Sequence, residues 1–288
     1  MASQRHGEPA SDTPRASDGG LDASQTSSER STFERDVPEL SPDARALFAS
    51  YCFTDDDQLK QHLRAVRDKA WSIYPYNCIG RWMFLRLRMS QHPLYSEVRS
   101  KIRDGASLLD IGCCLGQDLR KLVADGAPAA QVYGTDLRQS FIDLGYDLFQ
   151  DRTTAPRMIA ADFLADSAAS SPSLTALEGR FEIIHACSFF HVFSRDEQLR
   201  ACTRALRLLH DKPGSFVFGT QPGGGAHGKP RDDPREDAAK RCWHSKETWR
   251  ELWLEVGRSV GTRLEVDVED IKEIPGSISF VVRRPRNE

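Results

Sequence analysis

The stretch SLLDIGCCLGQDL, residues 107 to 119, constrains this chain more than any other. Ser107 to Ile111 is a short apolar run that carries an acid, Asp110. Gly112 and Gly116 follow at a spacing of four, and Leu119 and Leu122 open an amphipathic pattern. Such a pattern predicts a buried strand, a tight glycine turn and the first turn of a helix. Glycine suits a turn that bends sharply and lets a ligand approach the backbone without a Cβ in the way. The helix that begins there offers unpaired N–H groups to an anionic group. The stretch therefore reads as a loop that holds a small-molecule cofactor.

From Ser107 onward, strand and helix patterns alternate. Strands are predicted at 107–111, 131–136, 157–161, 181–186 and 215–220, with helices at 117–125, 138–150 and 195–210. Residues 164–179 form a Ser/Ala-rich connection with one short helix. This alternation predicts a parallel sheet covered by helices on both faces. A long polar loop at 223–237 follows, then a Trp-rich helix over 247–256. Strands at 263–271 and 277–284 flank the turn signal Pro275-Gly276 and must run antiparallel. The expected fold class is α/β: a doubly wound, Rossmann-like, seven-stranded sheet of five parallel strands plus a C-terminal antiparallel hairpin.

Residues 1–38 carry scarcely an apolar side chain, and a segment that buries so little surface is expected to be a disordered tail. Residues 39–104 are expected to form an N-terminal helical lid or substrate cap, and 105–288 the main domain. Ser41 is an N-cap candidate with Pro42 at the first helical position, and Asp55 to Asp57 start a second helix carried by Leu59, Leu63, Val66 and Ala70. The run 70–89 is unusually aromatic. It reads either as helix-packing core or as a lid over the cofactor and one wall of a substrate pocket. Arg81, Arg86 and Arg88 are expected on a solvated helix face.

Balanced charge, 39 Lys+Arg against 42 Asp+Glu, gives no footing for nucleic-acid binding. Seven cysteines, an odd number without a C-x-x-C pair, suit reduced thiols in the cytoplasm. No apolar run reaches the length of a membrane span, so no membrane partner is expected. His227 and His244, with Cys242, match no closed zinc spacing, so no metal site is expected.

The cofactor follows from the acids. A dinucleotide loop would carry G-x-G-x-x-G, but Cys114 stands at the middle glycine. Asp110 precedes the first glycine, where its charge would repel a pyrophosphate and attract an ammonium or sulfonium. Asp136 and Asp162 end the next two strands at intervals of 26 residues. Asp136 can accept both ribose hydroxyls. Asp162 can take an adenine amine, with Phe163 beside the ring. An amino acid cation, a ribose and an adenine together describe S-adenosylmethionine. Each acid could also merely cap the helix that follows it, yet their recurrence at successive strand ends favours a cofactor.

The strand-ending DIGCCLGQ, then YGTDL and AADF, make residues 107–220 resemble the class I S-adenosylmethionine-dependent methyltransferases. More narrowly, IYPYNCIGRWMFL, LLDIGCCLGQDLRKLVADGA and FFHVF resemble fungal secondary-metabolite methyltransferases of meroterpenoid pathways such as those to austinol, terretonin and andrastin. This closer resemblance covers residues 41–284. It implies methyl ester formation on a terpenoid carboxylate, an apolar small-molecule acid as substrate, and a homodimer through the N-terminal helices. It further implies cofactor binding by Asp110, Gly112, Cys113, Gly116, Asp136, Leu137, Asp162, Phe163, Ala186 and Cys187. A substrate pocket of Tyr74, Tyr76, Trp82, Phe189, Phe190 and Trp243 goes with them. A carboxylate acceptor is already ionised at neutral pH and needs no base, whereas a hydroxyl would. His191, after the fourth strand, is the catalytic candidate. A base, a donor that steers a substrate carboxylate, and a satisfied structural histidine are its open roles. His185 lies within an apolar strand and is expected to be packed. Hydroxyl methylation of a polyketide or alkaloid, and a cofactor-binding scaffold without activity, are the alternative functions.

Overall fold

The computed structural model describes residues 33–51, 53–165, 172–223 and 241–286. Most of the predicted tail, His227 and most of the polar loop at 223–237 lie outside the described residues. Helix α1 (Pro42–Ala49) starts where expected, with the Ser41 hydroxyl accepting from Ala44 N and Pro42 in the first turn. Helix α2 (Asp56–Ile73) is capped by Asp55, which accepts from Gln58 N at 2.8 Å. Its Leu59, Leu63, Val66 and Ala70 are buried, the i, i+4 stripe of an amphipathic helix.

The aromatic run then breaks up rather than continuing as a helix. A single turn, α3 (Asn77–Gly80), is followed by a 3₁₀ turn at Met83–Arg86, with Trp82 and Leu87 left-handed on either side. Residues 33–38, assigned by composition to the tail, have partners that composition does not reveal. Glu34 O accepts from both Trp82 Nε1 and Arg67 Nη1, and the Arg67 guanidinium lies between the Phe33 and Trp82 rings. Buried apolar residues from Leu40 to Leu87 share one cluster, the N-terminal cap, whereas helix α4 (Tyr95–Arg103) buries Val98 and Ile102 in another, with Leu108, Leu119 and Phe216.

Strand β1 (Leu108–Ile111), helix α5 (Gln117–Ala124), strand β2 (Val132–Asp136) and helix α6 (Gln139–Phe149) follow in strict alternation. Then come β3 (Arg157–Ala160), the short α7 (Pro172–Thr175), β4 (Ile183–Cys187), α8 (Arg195–Leu208) and β5 (Phe216–Pro222). Helix α9 (Lys246–Ser259) and the strands β6 (Glu265–Asp270) and β7 (Ser277–Arg283) complete the chain. The sheet has seven strands in the order β3-β2-β1-β4-β5-β7-β6, parallel from β3 to β5, with β7 antiparallel to both its neighbours. The last strand is thus inserted between β5 and β6. Strand order reverses between β1 and β4, and in open α/β sheets the ligand crevice lies at that point, beyond the strands' carboxyl ends. No described helix is long and apolar enough to cross a membrane.

The cap is seated on α6. Phe48 stacks on Phe149 at 5.3 Å, and His62 Nε2 lies 3.1 Å from Leu148 O. Those contacts lie at the C-terminal end of α6; at its other end, next to β2, the Tyr76 ring lies 5.8 Å from that of Phe141 and the Arg138 guanidinium 4.7 Å over Tyr74. The fully buried Arg120 of α5 makes paired 2.9 Å contacts to Asp151 and donates to Leu115 O and Gly116 O of the glycine turn. Removing one partner of such a pair strands a buried charge. Asp151→Ala is therefore expected to cost about 3–5 kcal/mol, read as a lower urea midpoint at unchanged slope. A midpoint equal to wild type would contradict the clamp.

Candidate functional site

The turn after β1 is tied to the end of β2. Gly112 N and Cys113 N both donate to Thr135 O, at 2.8 and 3.0 Å, and Cys114 N donates to Asp136 Oδ2 at 2.9 Å. Arg138 N donates to the other oxygen, Oδ1, at 3.0 Å. Gly112 has φ +72°, and a Cβ there would lie 2.7 Å from the Phe189 ring. Cys114 is also left-handed, at φ +52°, a conformation that side chains rarely adopt. That is the physical reason a glycine is expected at its position. Burial pushes the Cys113 and Cys114 thiols well up, so neither serves as a nucleophile.

On one side of this turn lies a buried polar cluster. Asp110 pairs in register with His185, and its Oδ1 lies 2.7 Å from His185 Nδ1; the residues are 4% and 2% exposed. His185, expected to be packed, is packed, but against the acid of the glycine motif. Its one signal was its place in a strand parallel to β1. Asp118, in the first turn of α5, accepts from Met89 N at 3.0 Å and is pushed up to about 6 by burial. His92 is pushed down to about 4 for the same reason and contacts Ser279 at 2.9 Å. Cys187, at the end of β4, lies 3.4 Å from Thr220 Oγ1, and burial pushes its thiol to about 12. Ala186 beside it is fully buried. Ser188 follows in left-handed conformation, with its N–H on Thr220 O at 2.7 Å.

On the other side is Leu137, 58% exposed among an otherwise well-buried set of apolar residues. Asp162 is exposed, and its Oδ1 accepts from Leu164 N at 2.8 Å. Phe163 is buried and meets Phe189 edge-on at 5.3 Å. From the cap, Tyr74 and Tyr76 lie 4.3 Å apart, and the Arg138 guanidinium sits 4.7 Å over the Tyr74 ring. Burial raises the Tyr76 hydroxyl, and a hydrogen bond with Arg138 opposes that.

Of the expected pocket residues, Trp243 and His191 come together at 6.2 Å, edge to face, and Phe189 covers Gly112. Trp82 and Phe190 instead fill cores. Trp82 sits among the cap residues, while Phe190 packs on Trp249, Trp253 and Phe280. Gln198 was missed. It stands on the apolar stripe of α8 with Ala201, Cys202 and Ala205, and a polar residue in such a stripe is the signal that could have found it.

The chemistry of this edge fits an adenosyl amino acid. Each oxygen of Asp136 accepts one backbone N–H and retains capacity for a ribose hydroxyl. Exposed Leu137 offers an apolar face for an adenine. Gln117 Oε1, at the start of α5, is buried without a hydrogen-bond partner and suits an ammonium. Asp110, with one oxygen on His185, adds negative potential at the same end.

Residues 32–85 match the family model of the meroterpenoid methyltransferase N-terminal domain, and 108–212 that of the methyltransferase domain. The chain is 38% identical to O-methyltransferase phiE of Fungal sp. (strain ATCC 74256), covering 80% of this chain and 75% of that one. Methyltransferase adrK of Penicillium rubens is 36% identical over 83% of this chain and 84% of its own. Asnovolin E/Chermesin D methyltransferase nvfJ of Aspergillus novofumigatus is 35% identical over 78% and 79%. Among solved structures, the CurJ carbon methyltransferase aligns with TM-score 0.52 at 14% identity, covering 84% of this chain and 68% of that one. A Haemonchus contortus phosphoethanolamine N-methyltransferase 2 complex aligns with TM-score 0.51 at 14% identity, covering 77% and 61%. These two likenesses are of fold alone.

The buried Asp118 gives the cluster a pH signature. Its carboxyl titrates near 4 when unfolded and about 6 when folded, so between those values the folded chain binds more protons. Its contribution is fully present below about pH 4 and is lost as pH rises through about 6. Asp118→Asn keeps an acceptor for Met89 N. It is expected to match wild type at pH 4 and to exceed it by roughly 2 kcal/mol at pH 8 in chemical denaturation. A difference that is the same at both pH values would contradict this.

Proposed function

The chain belongs to the family of fungal meroterpenoid methyltransferases, and from that premise we propose that it methylates a carboxylate of a meroterpenoid intermediate to a methyl ester. The observation that carries this reading is the match of residues 32–85 to the meroterpenoid methyltransferase N-terminal domain. Those residues pack on α6, the helix that follows β2. Relatives named as O-methyltransferases support oxygen as the atom that receives the methyl group.

S-adenosylmethionine, when bound, supplies a methyl carbon already activated by its sulfonium. What remains for the chain is placement and exclusion of water. Asp136 would hold the ribose hydroxyls, Leu137 and Phe163 the adenine, and Asp110 and Gln117 the amino acid end. Phe189, Phe193 and Trp243 form an apolar wall on the acceptor side, suited to a terpenoid skeleton. An ionised carboxylate requires no proton removal, so His191 orients it by donating a hydrogen bond. The Cys187 thiol, pushed to about 12, stays protonated and does not compete for the methyl group.

The test is incubation with methyl-labelled S-adenosylmethionine and a meroterpenoid acid. The expected product releases its label as methanol on mild alkaline hydrolysis. In the same assay, His191→Ala is expected to raise the acceptor KM while leaving kcat within about threefold, because no general base is lost. A base-stable ether product, with kcat lower by about 100-fold or more in His191→Ala, would assign a hydroxyl acceptor instead. No transfer to any acid or alcohol would leave a cofactor-binding scaffold.

A further inference from the structure

Gln198 is fully buried on α8, and its amide is the meeting point of the segments that wall the acceptor side. Nε2 lies 3.0 Å from Phe190 O and 3.2 Å from Phe193 O, the two ends of the turn that carries His191. The same nitrogen lies 2.7 Å from Cys242 O, next to Trp243. With two hydrogens for these carbonyls, one N–H is shared between two of them. Oε1 faces His244 Nε2 at 2.7 Å. Burial pushes His244 down to about 4, so its ring is neutral at pH 7. Its partners assign the tautomer: Nε2–H donates to Gln198, and Nδ1, at 3.1 Å from Thr248 Oγ1, accepts.

Backbone contacts follow the same seam. Cys242 N donates to Phe193 O at 3.0 Å, and Gly223 bridges to His244, joining this segment to the end of β5. A leucine would satisfy the apolar stripe on which Gln198 stands, but it would remove the one amide that ties the Phe190, Phe193 and Cys242 carbonyls together, leaving Phe190 O with only Phe193 N and Phe193 O with only Cys242 N. The helix interior needs no amide there; the loops beyond it do.

We propose that Gln198 is a positioning residue for methyl transfer. It holds the His191 turn and the Trp243 segment in one fixed arrangement and so sets how the acceptor is seated. It touches neither acceptor nor cofactor, and the cofactor side of the crevice, built on Asp136 and the glycine turn, does not depend on it. The inference rests on reading the His191–Trp243 edge as the acceptor side.

The test uses the full-length chain with Gln198→Leu, which removes both amide donors, and with Gln198→Glu, which keeps the size of the side chain but has at most one O–H for the three carbonyls. Affinity for S-adenosylhomocysteine, by calorimetry, is expected to stay at the wild-type value in both. The acceptor KM is expected to rise about tenfold or more, since small misplacements are costly in a group transfer, with a smaller change in kcat. Acrylamide quenching of Trp243, taken as the difference between each protein and its Trp243→Phe counterpart, is expected to increase. Wild-type KM and quenching in either cofactor-binding variant would overturn the proposal. So would increased quenching at unchanged KM, or loss of cofactor and acceptor binding in parallel in both variants. Should wild type methylate no meroterpenoid acid, the functional reading fails on its own. Trp243 quenching then decides whether Gln198 holds the wall, and unchanged quenching overturns it.

Discussion

The hydrogen bonds between the glycine turn and the end of β2 are the constraint on which the site depends. Thr135 O takes two successive N–H groups of the turn, and Asp136 takes a third through its side chain. They hold the Asp136 carboxylate at the end of β2 and at the same time fix the path of residues 112–114. Arg120 and Asp151 hold the turn from below, and α6 carries the cap from the same strand end. Asp136 and the N-terminal helices are thus both held through β2 and the helix that follows it.

Backbone strain falls at a few described positions. The described non-glycine residues at positive φ are Trp82, Leu87, Cys114, Gln150 and Ser188. Gln150 is the C-cap of α6. The others lie in the cap, in the glycine turn and at the end of β4. Each such residue costs on the order of 1–3 kcal/mol and persists only where its surroundings over-determine it. For Trp82, Cys114 and Ser188 those surroundings are the Arg67–Trp82–Glu34 contacts, the Asp136 acceptor and the Thr220 carbonyl. Electrostatics at the same edge is subdued by burial: thiols are pushed up and His92 and His244 are pushed down, so these groups are neutral near pH 7. A site of this kind binds and orients.

Much of the fold was legible because strand and helix periods are local. The five parallel strands, the helices between them and the antiparallel ending can each be read within a few residues of the chain. Insertion of β7 beside β5 was not, since it depends on which sheet edge remains open. The break-up of the aromatic run 70–89 into short turns was not legible either, since Trp82 turns left-handed and its Nε1 meets Glu34 O, a contact across 48 residues. In the site, the acids at strand ends were visible as a spacing, while their partners were not. The Asp110–His185 contact spans 75 residues and that of Gln198 with His244 spans 46. Burial made His185 look like core and Gln198 look like an exception, and only the fold says what each of them meets.

The most direct measurement is calorimetric titration of wild type and Asp136→Ala with S-adenosylmethionine, S-adenosylhomocysteine and NAD. Wild type is expected to bind the first two and not the third. The substitution is expected to remove that binding while the chain remains folded by circular dichroism. Binding of NAD by wild type, or undiminished S-adenosylhomocysteine affinity in a folded Asp136→Ala protein, would contradict the claim that the end of β2 organises the site.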